Sequence, residues 1–333
     1  TRIWRGLLFG LGYFSIGAYW FVQTLREHLD YSWPIALGAH LLITGACALA
    51  PTTFCWLGGY LKAKAFPRLL ALAALWIVIE DIRFQAFGGG PWLSLGLSQI
   101  DMPLAGLYAI FGEVGTSYFV AIIVGLIAFA VIGDGKVLGK QVKRRRIAFS
   151  MGLVFLIMLL AEALKHVEWT ASVGKRQAVA LVQTAVSQQE RKNLSSQADR
   201  LESLASLTEP FLGKAKFIIW PETVVTLDRQ DVNKKLETLN EKAMFARSTI
   251  LMGAYEPSMT GMRYNTAFTL GYEFGQTYRK RHLVPFGEYV PRLLTFLNGH
   301  VPGDVYRNQG RSPSLIANSG TLYGISICWE GSF

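Results

Sequence analysis

Three residues in the second half of this 333-residue chain have the types that covalent acyl chemistry needs. Cys328 ends the run TLYGISIC, Glu222 follows FIIWP, and Lys280 sits in TYRKRHL. A thiol is a strong nucleophile once deprotonated, so it calls for a base. A carboxylate serves as that base when burial brings its proton affinity toward neutrality. A lysine ammonium beside them stabilises an oxyanion, with help from a backbone N–H. Order along the chain does not bring the three together. Each also has a plain reading: Cys328 as inert packing, Lys280 as one more charge in RKRH, Glu222 as a turn or cap residue.

The segments around them read as an α/β domain. Residues 178–184 (AVALVQT) and AKFIIWPE are apolar strand candidates, separated by a polar helical stretch over 187–207. Val232, Leu236 and Leu239 fall at helical spacing within 231–247. STILMGAYE (248–256) and YNTAFTLGY (264–272) are two more strands, and SPSLIAN and TLYGISIC are expected to close the chain as a further pair. Strands with helices between them, then paired strands, point to a layered α/β sandwich. The connection 283–312 is long and rich in aromatics and Pro, and loops of that length are usually functional or disordered.

The composition divides the chain. Overall it is 51% hydrophobic and 17% charged, with a mean hydropathy of +0.29, too apolar for an ordinary soluble protein. That bias lies in residues 1–165, while 166–333 resemble a soluble domain. The net charge of +10 has its densest stretch in KQVKRRR, Lys140–Arg146, between two apolar segments. That position reads as a topology signal rather than a nucleic-acid site. Cys47 and Cys55 share one apolar segment, and the three cysteines form neither a disulfide framework nor a zinc pattern. No metal or cofactor is expected.

Five segments are long and apolar enough to span a bilayer: 5–25, 33–60, 68–87, 103–132 and 147–165. Gly6 and Gly10 form a GxxxG pair, which either permits close helix packing or reflects ordinary glycine use. Lys62, Lys64 and Arg68 in one loop, and Lys136 to Arg146 in another, should face the cytoplasm. An odd number of spans then places 166–333 on the other side. No ATP or acyl-CoA is ready there, so a transferred group would have to come from something like a membrane lipid. Glu80, Asp81 and Arg83 in the third segment, and Glu113 in the fourth, are costly in lipid. Glu80 and Arg83 share a helix face, as a structural pair or a lipid-headgroup contact.

WPE, then RKRHLVPFGEYVP, then a strand ending CWE, resembles the nitrilase superfamily and its Glu-Lys-Cys triad. With apolar spans ahead of it, and with GGPWLSLGLSQID (89–101), the chain is similar to the apolipoprotein N-acyltransferases over essentially its whole length. The resemblance implies a multi-span α-helical membrane bundle (1–165). It also implies an extracytoplasmic αββα nitrilase-like catalytic domain (166–333) that is C-terminally incomplete. Glu222 would be the general base, Lys280 the oxyanion stabiliser and Cys328 the nucleophile. Cys328 would take an acyl chain from a phospholipid, typically phosphatidylethanolamine. The thioester would then acylate the α-amino group of a diacylglyceryl-cysteine at a lipoprotein N-terminus, in a bacterial inner membrane. Glu288 would orient Lys280 or share its charge, Glu330 would hold the loop after the nucleophile, and Trp329 stands where the family often has Tyr. Phe286 and Tyr289 would line a lipid-facing mouth with Leu293, Leu294, Phe296 and Leu297, and Glu80 and Arg83 are further candidates for lipid contact.

The chain departs from the family where Thr184 and Ala185 follow Val182 and Gln183, and where 186–200 lacks a Trp. Membrane helices before residue 1 and the end of the catalytic domain are absent by the same comparison, so the chain as written is expected to be unstable or inactive. The rival readings are a membrane-anchored amidase that passes its acyl group to water, and an inactive membrane scaffold.

Overall fold

The computed structural model describes residues 1–62, 65–86, 92–132, 139–185, 195–224, 233–259, 262–285, 287–290, 307–312 and 314–332. The chain forms two compact units, Thr1–Ser172 and Val173–Phe333.

The first unit is helical: α1 (Arg2–Gly17), α2 (Trp20–Leu29), α3 (Trp33–Gly58), α4 (Ala65–Gln85), α5 (Tyr108–Val131) and α6 (Lys140–Lys165). A 3₁₀ turn, Pro103–Leu107, leads into α5. Among the described residues three helical stretches are long and apolar enough to cross a membrane: Trp33–Gly58, Pro103–Val131 and Lys140–Lys165. The first expected span is instead two helices, α1 and α2, broken at Ala18 and Tyr19. The third, α4, carries Arg68, Glu80, Asp81 and Arg83 along its length. Leu42, Leu49, Val124, Phe155 and Leu160 point outward and are exposed. Hydrocarbon, rather than water, is the solvent in which such a surface is stable.

The glycine pair on α1 does permit close packing. A Cβ on Gly6 would lie 2.5 Å from the Pro51 carbonyl oxygen, and one on Gly10 would lie 2.7 Å from Pro51 Cγ. Backbone therefore meets backbone where α1 crosses α3, the contact that small residues make possible in lipid.

The unit is also polarised in charge. Arg2 donates to the Gly59 carbonyl, joining the start of α1 to the end of α3. Leu69 lies against Gly125, and Arg146 donates to the Ala130 carbonyl, so the starts of α4 and α6 meet the end of α5. This end carries Arg2, Arg5, Lys62, Arg68, Lys140 and Lys143–Arg146 without an acidic residue among those described. At the other end Tyr13 reaches the Leu93 carbonyl, and Gly106 abuts Ala161 and Lys165. That end holds Glu27, Asp30, Glu80, Asp81, Asp101, Glu113 and Glu162 against Arg26, Arg83 and Lys165.

Among the described residues the second unit is built on a six-stranded sheet. Strands β1 (Val179–Leu181), β2 (Phe217–Ile219) and β3 (Thr249–Pro257) run parallel in that order. β4 (Arg263–Gly271) is antiparallel to β3, and β5 (Thr277–Arg279) is antiparallel to β4. β6 (Arg307–Asn308) pairs with β4. Side chains alternate between the faces of a strand. Ile218, Ile250, Met252, Phe268 and Leu270 therefore share one face, covered by helices Ser195–Thr208 and Asn233–Phe245 through Leu201, Leu204, Leu236 and Leu239. The other face presents Phe217, Leu251, Ala267 and Tyr278 to the hairpin β7 (Ile316–Asn318) and β8 (Thr321–Tyr323), where Ile316 packs with Ile327. Thr249 donates to Asn318 Oδ1, and the Gln276 amide exchanges two hydrogen bonds with Ala317, fastening the hairpin down.

One expectation changes. The last strand stops at Tyr323 and does not run into Cys328. Gly324 weakens the strand, and the Ile327 N–H is taken by the Glu330 carboxylate instead of a ladder partner. Lys280 directly follows β5, just beyond a strand end. Val232 lies outside the described residues.

Gly10→Leu should force α1 away from Pro51 and Ala48. An overpacked site of this kind costs about 1–3 kcal/mol, so a lowered thermal midpoint in detergent is expected, and an unchanged midpoint would show that the crossing does not depend on this glycine.

Candidate active site

Glu222 leaves β2 through Trp220 and Pro221. The Trp220 N–H donates to the Leu251 carbonyl, and the Val224 N–H to the Gly253 carbonyl, so the segment lies across β3. It crosses at Gly253, where a Cβ would come within 2.7 Å of Thr223 N and 2.9 Å of Glu222 Cα. Thr223 takes φ +54°, a strained conformation for a β-branched residue.

Lys280 is fixed by the β4–β5 ladder. Its N–H donates to the Asn265 carbonyl, and its own carbonyl accepts from Gly310 N–H. Its side chain is 1% exposed. The ammonium lies 3.0 Å from Glu288 Oε2 and 4.0 Å from Glu222 Oε1. Glu288 is held in turn by a tight turn: its N–H donates to the Val284 carbonyl, and its Oε2 accepts from the Val284 N–H at 2.9 Å. Burying a cation without a partner costs several kcal/mol, so the two carboxylates are what keep this ammonium in place.

Cys328 is exposed and opens the 3₁₀ turn Cys328–Ser332 with φ +52°, again a strained conformation. Glu330 anchors the turn. Its Oε1 accepts from Tyr278 Oη at 2.7 Å, Arg281 N–H at 2.7 Å and His282 N–H at 3.1 Å, and its Oε2 accepts from Ile327 N–H at 2.9 Å. One carboxylate thus ties the residues just after Lys280 to those flanking Cys328. Trp329 is half-buried next to the thiol, and its backbone N–H bonds the sulfur.

The electrostatics follow from these contacts. Burial raises the Cys328 thiol above its ordinary value, the Glu222 carboxylate raises it further, and Lys280 and the Trp329 N–H oppose them. At neutral pH the thiol is therefore protonated and needs a base. Burial works against the Glu330 carboxylate, but its hydrogen bonds outweigh this and hold it below the usual range. Burial, then the Glu330 carboxylate, pushes the Tyr278 phenol well above its normal value.

Glu222, Lys280 and Cys328, with Glu288 and Glu330, are thus brought together. Glu80 and Arg83 are not part of this unit. Nor do they pair with each other as one reading had it: Glu80 accepts from Leu95 N–H at 3.1 Å, and Arg83 donates to the Trp92 carbonyl at 3.0 Å. Ser94 donates to Glu113. These polar groups of α4 and α5 grip the 92–95 loop. Tyr289 is partly buried, and Pro285 bridges to it. Phe286, Leu293, Leu294, Phe296 and Leu297 lie outside the described residues, as do 186–194, where most of the missing family pattern falls.

Two site residues escape sequence reading. Tyr278 and Asn265 both lie on strands and contact the carboxylates. The signal for Asn265 was an amide inside the apolar strand YNTAFTLG.

Residues 1–126 match the family model of the apolipoprotein N-acyltransferase N-terminal domain, and 178–333 match the carbon–nitrogen hydrolase model. The apolipoprotein N-acyltransferase of Methylococcus capsulatus is 30% identical over 98% of this chain and 64% of its own length. That of Coxiella burnetii is 31% identical over 86% of this chain and 58% of its own, and that of Vibrio vulnificus is 30% identical over 98% and 65%. The chain therefore spans roughly three-fifths of the length of these relatives.

Alkylation of Cys328 by iodoacetamide tests the field at the thiol. Glu222→Gln removes a charge that raises its pKa, so the pH midpoint of alkylation should fall. Lys280→Met removes a charge that lowers it, and the midpoint should rise. Midpoints that stay put in both variants would mean that neither side chain acts on the sulfur. A helical unit matching the N-terminal domain model and an α/β unit matching the hydrolase model, with relatives about 30% identical across both, make this chain similar to the apolipoprotein N-acyltransferases over nearly its whole length.

Proposed function

We propose that the chain is the acyl-transferring part of an enzyme that moves a fatty acyl group from a phospholipid, through a Cys328 thioester, to the N-terminal amine of a diacylated lipoprotein. The observation that carries this reading is the buried Lys280 ammonium set between Glu222 and Glu288, with their charges acting on the exposed thiol. The names of the relatives supply the reaction class. Phosphatidylethanolamine is the donor proposed.

The steps use those groups. Glu222 takes the thiol proton as the sulfur attacks the carbonyl carbon of an ester-linked acyl chain. The Lys280 charge and a backbone N–H stabilise the oxyanion. The C–O bond breaks, and Glu222 gives its proton to the departing oxygen, leaving a lysophospholipid and an acyl thioester. The lipoprotein amine then attacks the thioester and passes a proton to Glu222. The C–S bond breaks, and Glu222 returns the proton to the sulfur. This is ping-pong covalent catalysis.

The proposed setting is a bacterial inner membrane, with the second unit in the periplasm as a nitrilase-like αββα domain. The charge polarity of the first unit supports it, because Lys- and Arg-rich ends face the cytoplasm. α6 begins at the basic end and finishes beside Gly106 at the acidic end, so the chain leaves the bundle on the side away from the cytoplasm.

Two experiments on the full-length protein in membranes test this. Incubation with labelled phosphatidylethanolamine should leave an acyl mass on Cys328 that Cys328→Ala abolishes and a diacylated lipopeptide removes, with triacylated product. A thioester consumed by water alone would favour the amidase reading, and no adduct would overturn covalent transfer. For topology, a cysteine placed at Asp101 should react with an impermeant maleimide added outside spheroplasts, whereas one at Lys143 should not. The reverse pattern would invert the proposed orientation.

A further inference from the structure

We infer that Asn265 is a positioning residue of this site: its amide group binds Glu222 and Glu288 together and leaves Glu222 Oε2 as the oxygen that receives the Cys328 proton. The inference rests on the proposed covalent role of Cys328.

The site holds two carboxylates and a single ammonium. Lys280 makes its close contact with Glu288, at 3.0 Å, and stands 4.0 Å from Glu222 Oε1, beyond hydrogen-bond range. Glu288 has further support from the Val284 N–H. Glu222 has less, and its side chain is 36% exposed. Among the described residues its one hydrogen bond comes from Asn265 Nδ2, at 2.8 Å to Oε1. The same nitrogen lies 3.2 Å from Glu288 Oε1. An amide NH₂ has two protons to give, one for each carboxylate.

The orientation of the amide is forced by its surroundings. Turned over, Asn265 would set its carbonyl oxygen against two carboxylate oxygens. In the orientation observed, Oδ1 is buried and accepts no hydrogen bond among the described residues. A buried polar atom left unpaired is costly, so the contacts on the nitrogen must outweigh it. Asn265 is 2% exposed and fixed in β4 opposite Tyr255, and its carbonyl accepts the Lys280 N–H at 2.8 Å. One rigid residue therefore touches both carboxylates and the backbone of the lysine. With Oε1 occupied, Oε2 accepts no hydrogen bond among the described residues and is the oxygen open to the thiol.

Asn265→Leu keeps the branched shape and removes both donors. In single-turnover reactions of the full-length protein, the maximal rate of thioester formation should fall about tenfold or more, the scale of a lost hydrogen bond to a charge, while the half-saturating phospholipid concentration stays the same. In a Glu222→Gln background the same substitution should add little, because residues acting as a unit are not additive. An unchanged rate, a change confined to half-saturation, or an equal loss in both backgrounds would overturn the inference. Should Asn265→Leu not fold, Asn265→Ser is read the same way. Thiol alkylation separates this idea from the acyl-transfer reading. If wild-type protein forms no thioester, the transfer reading fails, while Asn265 is still judged by alkylation. The effect of Glu222→Gln on the alkylation midpoint should shrink when Asn265 is Leu, and an effect of full size would sink the positioning role.

Discussion

A lysine ammonium removed almost entirely from water must be met by negative charge, and Lys280 is met by Glu288 at 3.0 Å and Glu222 at 4.0 Å. Much of the second unit answers to that requirement. β5 exists as a short third rung on β4 and delivers the lysine inward. Gly253 lets the Glu222 segment pass directly over β3. The turn at Val284–Glu288 folds back so that the second carboxylate reaches the same nitrogen. A neutral residue at position 280 would leave the two acids facing each other without a cation. A different fold of the 284–288 turn would leave the cation half-compensated.

Glu330 extends the same logic to Cys328. It is buried and accepts four hydrogen bonds, two of them from the backbone just past Lys280 and one from the residue before Cys328. The strained φ at Cys328 is tolerable because the turn is pinned at both sides. The result is a thiol that is exposed and protonated at rest, close enough to the carboxylate and the ammonium to feel both. On the proposed function, a thiol held in this way becomes a nucleophile only when a base removes its proton.

In the first unit, charge is likewise used to hold backbone. Glu80, Arg83, Tyr13 and Ser117 each bond the backbone between Trp92 and Gly96, and Gly96 passes so near Glu113 that a Cβ would lie 2.3 Å from its carbonyl oxygen. Irregular backbone survives at membrane depth only when protein groups satisfy it. On the proposed function, these charges have structural work of this kind whether or not a lipid headgroup also meets them.

The sequence by itself determined the division into an apolar helical half and an α/β half, because hydropathy and strand periodicity are local. It also determined β3 and β4, whose long apolar runs read the same in any context, and it singled out Glu222, Lys280 and Cys328 as candidates by their side-chain types alone. Tertiary structure alone decided the rest. Which acid pairs with Lys280 depends on a turn five residues long and on a glycine two strands away in sequence. The end of β8 at Tyr323 depends on a carboxylate capturing the Ile327 N–H, a competition that no propensity records. Asn265 reads as a misfit in a hydrophobic strand until the fold sets two carboxylates against it. A hydrogen bond between residues 43 positions apart is a property of the packed sheet, since only the ladder brings those side chains within reach.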